Sequence, residues 1–294
     1  MVSSKKSLKF LAFLLVASAA FAADAAYLRD VEQYRAKREA TLKKDEGWLT
    51  VVGLFQLTEG DNHVGSGEGN EVELPESAPE FAGTIHFASG KSVFRPVANL
   101  GLTINGKPAS ETTLEPDKDV VAVGAVRFLV IKRGDGYYAR VKDNESELRY
   151  GFTGLKWFPV DPAWKFEAKF TAYERPKTIL FDSQNGVKQP LESPGFVTFV
   201  KDGQEYRLDP VIEDDELFFI FRDATSNKTT YGAARFVYAA MPKNGIVTLD
   251  FNKAINPPCA FTAFATCPLP PPQNRLKLAV TAGEMKYSEK DPEE

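Results

Sequence analysis

The spacing of apolar residues near the start of the chain predicts one amphipathic helix. Tyr27, Leu28, Val31 and Tyr34 fall at positions that share one helical face. Charged residues at four-residue spacing continue the pattern to about residue 45. We therefore expect a helix over residues 27–45 that packs across a sheet.

From residue 47 onward the pattern changes to short apolar runs separated by Gly, Pro, Asn and Asp. This spacing predicts an all-β fold of two β-sandwich or barrel-like domains, with the one N-terminal helix. The predicted strands cover residues 48–57, 84–87, 92–97, 102–104, 127–133, 137–142, 164–173, 177–181, 195–200, 204–208, 217–222, 235–238, 246–250 and 275–282. Tight turns are predicted at Asn105-Gly106, Gly134-Asp135-Gly136, Asp202-Gly203 and Asn244-Gly245.

A rigid segment, Phe158-Pro159-Val160-Asp161-Pro162, interrupts the strand pattern and predicts a domain junction near residues 155–163. The predicted divisions are a signal peptide at 1–22, a helix at 23–46, a first β-sandwich at 47–157, a second β domain with a proline-rich loop at 158–287, and a tail at 288–294.

The first residues have the parts of a secretory signal peptide. Lys5, Lys6 and Lys9 precede an apolar stretch that ends in the small-residue triplet Ala20-Phe21-Ala22. As a helix, residues 10–22 rise about 20 Å, which is short of a bilayer core of about 30 Å. No cysteine follows the stretch to take a lipid. These features predict a soluble exported protein, periplasmic in a Gram-negative source, with no stable membrane anchor.

Composition excludes several function classes. The 294 residues have a net charge of -4, which disfavours a nucleic-acid partner because phosphate binding needs excess Lys and Arg. The chain has only two histidines, too few for a three-histidine zinc site, and no metal or dinucleotide motif. We therefore expect no metal and no cofactor.

Two segments combine charged, hydroxyl and aromatic groups, and they contain the candidate ligand-binding residues. In one interpretation an arginine fork, with nearby amide and carboxylate groups, grips a carboxylate, sulfate or sugar. In the other, favoured interpretation the same groups form a structural network: Asp223 makes an Asx turn with Thr225, and Arg235 satisfies buried carbonyls. The candidates are Arg222, Asp223, Tyr231, Arg235, Asp250, Asn252 and Asn274.

Asp250 and Asn252 are spaced by two, which predicts that they share one face of a strand with Phe251 opposite. Two oxygen-bearing groups are few for calcium, which takes about six to eight ligands. Asp223 and Asp250 are also the candidate acid and base of a hydrolase.

Cys259 and Cys267 are the only cysteines. In an exported protein they predict a disulfide across a proline-rich loop. The alternatives are a catalytic thiolate or half of a zinc site, for which no neighbouring histidine or further ligand pair is visible.

Residues 60–133 resemble a degenerate forkhead-associated domain, the β-sandwich that binds phosphothreonine. The resemblance rests on Gly65-Ser66, residues 70–75, Gly101 and residues 104–106, followed by Leu114 and Asp119-Val120 before a closing strand. Ser66 stands where that family places an arginine, and His86 lacks the serine three residues before it. Because phosphate needs paired charged donors, the resemblance implies the scaffold without the phosphopeptide function.

Most of the chain after the predicted signal peptide resembles the bacterial family catalogued as domain of unknown function 1684, which has no established activity. The matching residues begin at Gly53-Leu54 and include Trp157-Phe158-Pro159-Val160-Asp161, Phe221-Arg222-Asp223-Ala224-Thr225, Thr230-Tyr231-Gly232, Arg235-Phe236, Leu249-Asp250-Phe251-Asn252 and residues 256–276.

Three hypotheses remain open for function. The first, which we favour, is a non-catalytic periplasmic binding or accessory protein with a pocket for a small carboxylate or glycan in the second domain. The second is an envelope hydrolase that acts on a sugar or cell-wall component. The third is a structural partner of an envelope protein. The absence of a nucleophile elbow or a histidine-based triad weighs against the hydrolase.

Overall fold

A computed structural model describes residues 24–182 and 188–288, and within them helix α1 runs from residue 24 to 42. The predicted helix is confirmed, since Val31 and Leu42 on its apolar face are fully buried. A second, four-residue helix, α2, covers Glu147–Tyr150. The predicted signal peptide lies outside the described residues. Across the described ranges, no helix is both long and apolar enough to cross a membrane.

The first two sheets take their strands from residues 51–143. One has six strands in the order β1-β11-β10-β9-β6-β7, and the other has five in the order β3-β2-β4-β5-β8. The strands are β1 Val51–Gln56, β2 Gly60–Gly65, β3 Val72–Glu73, β4 Gly83–Ala88, β5 Lys91–Pro96, β6 Thr103–Ile104, β7 Lys107–Pro108, β8 Thr112–Leu114, β9 Val120–Val123, β10 Val126–Arg133 and β11 Gly136–Asp143. Alternating residues of both sheets, such as Ile85, Phe94 and Phe128, fill the core between them.

The other two sheets take their strands from residues 165–250. One has four strands in the order β14-β13-β12-β18, and the other has three in the order β15-β16-β17. The strands are β12 Lys165–Asp182, β13 Lys188–Lys201, β14 Gln204–Leu208, β15 Val211–Glu213, β16 Glu216–Phe221, β17 Arg235–Ala240 and β18 Ile246–Asp250. β12 unites two predicted strands, because the register shift between Ala172 and Lys177 lets pairing with β13 continue.

The tight turns form where the sequence predicts them. Asn105, Asp202 and Asn244 each have a positive φ, and each is followed by a glycine that also has a positive φ. Two successive positive φ angles suit the type I′ turn, whose twist matches that of a hairpin. The structure confirms an all-β chain with one substantial helix at its N-terminus.

Helix α1 packs on the second group of sheets and on the segment that follows them. Arg38 Nε donates to Glu284 Oε1 at 2.9 Å, and Arg38 Nη2 donates to the Asn256 carbonyl at 2.9 Å. Glu284 is completely buried, and this burial raises the pKa of its carboxyl group. The helix therefore places a charged side chain deep against residues that are far away in sequence.

Candidate functional site

A buried ion pair joins two of the predicted ligand-binding residues. Arg235, the first residue of β17, is fully buried, and its Nη1 donates to Asp223 Oδ2 at 3.0 Å. The same guanidinium donates to the carbonyls of Val280, at 2.9 Å, and Ala282. It also lies 5.3 Å from the centre of the Phe221 ring. Both Nη atoms of the arginine fork are thus occupied by protein acceptors, and its Nε has no partner among the described residues.

The second oxygen of Asp223 is occupied as well. Asp223 Oδ1 accepts hydrogen bonds from the Thr225 amide at 2.8 Å, the Thr225 hydroxyl at 2.6 Å and the Val280 amide at 3.2 Å. These contacts are the Asx turn and the carbonyl-satisfying arginine of the structural interpretation. The ion pair therefore ties the end of β16 to the start of β17 and to residues 280–282.

Asp250 and Asn252 lie close together, but the prediction that they share a strand face is wrong. β18 ends at Asp250, and Phe251–Lys253 form a 3-10 turn. The physical reason is capping: Asp250 Oδ1 accepts from the Asn252 amide at 3.0 Å and so starts the turn. The Tyr27 hydroxyl donates to both Asp250 oxygens, at 2.9 and 3.0 Å. This pair therefore anchors α1, and burial with the Asp250 charge raises the pKa of Tyr27.

The three remaining candidates are Asn274, Tyr231 and Arg222. The side chains of the first two bond to backbone carbonyls, and Arg222 pairs through its own backbone. Asn274 is buried, and its amide group donates to the carbonyls of Asp209 and Ile220 at 2.9 Å each. The Tyr231 hydroxyl donates to the Cys259 carbonyl at 2.8 Å. Arg222 is half-buried and pairs through its backbone with residue 275.

The two cysteines are neighbours and both are free thiols, so the predicted disulfide is not formed in the structure. The Cys259 amide donates to Cys267 Sγ at 3.2 Å. A hydrogen bond from Cys267 lowers the pKa of the Cys259 thiol, and the same bond, with burial, raises the pKa of Cys267.

A cavity of about 650 Å³ lies where α1 and the two groups of sheets meet, and we call it the junction cavity. None of the seven predicted ligand-binding residues lines it, although Cys267 does. Its volume falls within the range of about 300–1,000 Å³ usual for small-molecule sites. Residues that define its walls are Arg38, Trp48, Arg133, Arg140, Phe218, Phe236, Tyr238 and Asn256.

Arg140 on β11 is the unusual group in this wall. Its exposed fraction is 7%, and its Nε is buried with no hydrogen-bond acceptor among the described residues. Its guanidinium lies 5.0 Å from the centre of the Trp48 ring. Burial, and after it the charge of Arg133, lowers the pKa of Arg140 to about 10, so the group stays protonated at neutral pH.

The other guanidinium groups of the wall already have anionic partners. Arg38 Nε is paired with Glu284 at 2.9 Å, and Arg133 Nη1 with Asp117 at 2.9 Å. Within the described parts of the chain, no carboxylate lies within ion-pair distance of Arg140. An unpaired buried charge costs several kcal/mol unless something neutralises it. The junction cavity is thus suited to bind an anion.

The sequence gives no signal that singles out Arg140. It stands between Ala139 and Val141 in a strand, where charged residues on the solvent face are ordinary. Pairing with Leu54 on β1 and Leu129 on β10 places it in the middle of a sheet. Arg140 is buried because residues from the second group of sheets and the segment after them cover that face of the sheet. The local pattern of apolar and polar residues does not show this.

The residues at the forkhead-associated positions also have protein partners. The Ser66 hydroxyl donates to the Ala78 carbonyl at 2.8 Å. His86 Nδ1 lies 2.6 Å from Asp61 Oδ1. Neither supplies the charged fork that a phosphate needs. In the described residues no group of three His, Cys, Asp or Glu side chains is arranged to hold a metal ion.

Comparison with known proteins finds one family model, described as "Protein of unknown function (DUF1684)", over residues 150–285. This match is shorter than the extent that the resemblance predicts, which begins at Gly53. An uncharacterised protein of Haloarcula marismortui, solved by NMR in solution, is 33% identical, with a TM-score of 0.40. That alignment covers 47% of this chain and 78% of the other. No curated protein matches the chain.

Forkhead-associated (FHA) domains are among the similar solved structures. The FHA domain of FhaA, crystallised with the intracellular domain of Rv3910, is 23% identical, with a TM-score of 0.23, over 30% of this chain and 86% of that chain. An FHA domain analysed for phosphothreonine-dependent interactions is 22% identical, with a TM-score of 0.23, over 32% of this chain and 96% of that chain. This is the family that residues 60–133 resemble.

Proposed function

We infer that the chain, which belongs to the family described as "Protein of unknown function (DUF1684)", is a binding protein for a small organic anion. The observation that supports this function is Arg140, a buried cation without an anionic partner on the wall of a cavity of about 650 Å³. A ligand carboxylate would neutralise the guanidinium and accept its unused hydrogen bonds.

The shape and lining of the cavity favour binding over catalysis. Phe218, Phe236 and Trp48 give it apolar walls, which suits an organic body attached to the anionic group. The candidate carboxylates of a hydrolase, Asp223 and Asp250, both accept hydrogen bonds from protein donors and lie outside the cavity lining. No observation on the described residues favours the hydrolase.

The binding experiment is a calorimetric titration of the purified protein with benzoate and phenylacetate, compared with the neutral amides of the same acids. We expect each acid to bind at least tenfold more tightly than its amide. Arg140→Gln should weaken the acids by about 10- to 100-fold, since hydrogen bonds to charged groups contribute about 1.5–3 kcal/mol. It should leave the amides unchanged.

The matched control is Arg95→Gln, which removes an arginine of β5 that is half-exposed and paired with Asp61 and Glu111, outside the junction cavity. This variant should bind the acids as the wild type does. Equal affinity of wild type and Arg140→Gln for both acids would contradict the proposed function.

The pH dependence of acid binding gives a second prediction. Since the pKa of Arg140 in the free protein is lowered to about 10, affinity should be constant between about pH 6 and 9 and fall above about pH 10 as the guanidinium loses its proton. The measurement is the same titration across that range. A loss of affinity between about pH 6 and 8 would point to a different group.

We also propose that the protein is exported and that its two cysteines then form a disulfide. Residues 1–22 have the parts of a signal peptide. The lowered pKa of Cys259 makes it the thiolate that attacks during thiol–disulfide exchange with a disulfide donor of the compartment. The contact between the Cys259 amide and Cys267 Sγ, 3.2 Å, puts the two residues in reach of each other.

The disulfide prediction is tested on protein recovered from the exported fraction. We expect no titratable thiol after denaturation. Reducing the disulfide should lower the free energy of unfolding by about 2.5 kcal/mol, because the chain-entropy model gives this value for a closed loop of about nine residues. A Cys259→Ser, Cys267→Ser double variant should have the stability of the reduced form. Two free thiols in the exported protein would contradict the prediction.

A further inference from the structure

Two residues that line the junction cavity each have a buried polar atom without a partner. Five buried side-chain nitrogen or oxygen atoms of the described residues have no hydrogen-bond partner. Two of the five, Arg140 Nε and Asn256 Oδ1, belong to residues that line the cavity. One is a donor on a cation and the other is a neutral acceptor. Because orphaned buried groups are rare in native proteins, the pair indicates what a ligand has to supply.

Hydrogen bonds fix the orientation of the Asn256 side chain. They settle which amide atom is Oδ1 and which is Nδ2, and the atom without a partner is the oxygen. Its Nδ2 donates to the Met285 carbonyl at 2.8 Å, and its backbone amide donates to Glu284 Oε2 at 2.7 Å. Its own carbonyl accepts from Arg38 at 2.9 Å. Turning the amide over would set Oδ1 against the Met285 carbonyl. Asn256 is fully buried, and its Oδ1 is an acceptor that only a donor reaching it from the cavity side can satisfy.

Part of the cavity wall is aromatic. Phe218 and Tyr238 are stacked, with ring centres 4.6 Å apart and an interplanar angle of 9°. Phe236 meets Phe218 edge to face at 4.8 Å. The Tyr238 hydroxyl is already bound to Glu213 Oε2 at 2.7 Å, so this wall offers ring surface. Flat ring surface of this kind favours an aromatic body.

We propose, building on anion binding at Arg140, that the ligand is an aromatic acid that carries a hydroxyl or amino group as a hydrogen-bond donor for Asn256. The acid oxygen accepts from the Arg140 guanidinium, the ring lies against Phe218 and Tyr238, and the donor bonds to Asn256 Oδ1. One ligand then satisfies both orphaned atoms of the cavity.

A sugar acid has the same anionic end but fits the wall less well. Each of its hydroxyl groups needs a partner, whereas the side chains of Arg38, Arg133 and Glu213 in this wall already bond within the protein. Unpaired hydroxyl groups would lose their water without compensation. The aromatic acid needs few polar contacts, which suits a wall formed partly by the Phe218, Phe236 and Tyr238 rings.

The test is a calorimetric comparison of matched acids on the wild-type protein. The probes are benzoate, the three hydroxybenzoate isomers, the corresponding methoxybenzoates, and glucuronate. We expect at least one hydroxybenzoate to bind about tenfold more tightly than both benzoate and its methoxy analogue, because only the hydroxyl donates to Asn256. Asn256→Ala should reduce that ratio to about one while benzoate still binds.

Each result separates this inference from the proposed function. If the acids bind in an Arg140-dependent way but every hydroxy isomer equals its methoxy analogue, the donor requirement is wrong and anion binding stands. If glucuronate binds more tightly than all hydroxybenzoates, the aromatic body is wrong. If no acid binds, the proposed function and the inference both fail. Should Asn256→Ala not fold, the ratio on the wild-type protein decides alone.

Discussion

Replacing Arg235 by methionine is expected to lower the free energy of unfolding by about 3–5 kcal/mol. The side chain is fully buried and satisfies Asp223 Oδ2 and the carbonyls of Val280 and Ala282. Without it the Asp223 carboxylate stays buried with its charge uncompensated, and the two carbonyls lose their donor. Chemical denaturation followed by circular dichroism measures the change.

Two further variants test the reason for this loss. Arg222→Met removes a half-buried arginine from the end of the neighbouring strand and should cost less than about 1 kcal/mol. Combining Arg235→Met with Asp223→Leu should recover part of the loss, because a buried pair replaced as a whole costs less than one partner removed. A destabilisation below about 1 kcal/mol for Arg235→Met would show that the ion pair is not a structural element.

The same substitution at Arg140 is expected to act in the opposite direction. Arg140→Met should raise the free energy of unfolding by about 1–2 kcal/mol, since it removes a buried charge that has no anionic partner. Loss of the contact with the Trp48 ring, about 0.5–1 kcal/mol, offsets part of the gain. Acid binding should be lost in the same variant. Denaturation and calorimetry on one preparation measure both changes.

Arg133→Met is the matched control for that result. Arg133 also lines the cavity, but its Nη1 is paired with Asp117 at 2.9 Å. Because such exposed pairs contribute about 0–1 kcal/mol, its replacement should leave stability unchanged or slightly lower. If Arg140→Met destabilises the protein as Arg235→Met does, Arg140 serves the fold and the case for an anion site is lost.

The two arginines show which parts of the molecule the sequence could predict. Local signals sufficed for α1, for the turns at Asn105 and Asp202, and for the Asx turn of Asp223 with Thr225, all of which depend on residues a few positions apart. Propensity and periodicity act over that range. The prediction that Asp250 and Asn252 share a strand face failed because the Asp250 side chain caps a turn that follows the strand.

The junction cavity could not be predicted from local sequence signals, because the residues that line it come together only in the folded chain. Trp48, Arg140, Phe218 and Asn256 come from four separate regions of the sequence. Each of them is an ordinary aromatic or polar residue in its own local sequence. What makes Arg140 exceptional is the missing partner, and a missing partner is a property of the tertiary contacts alone.

The positions of the cavity-lining residues along the chain also determine at what stage of folding the cavity can form. Arg38 comes from the first described helix, and Pro268 comes from near the end of the described residues. Contacts this distant in sequence form only when nearly the whole chain is present. The cavity is therefore complete only after residue 268 has joined the rest of the fold.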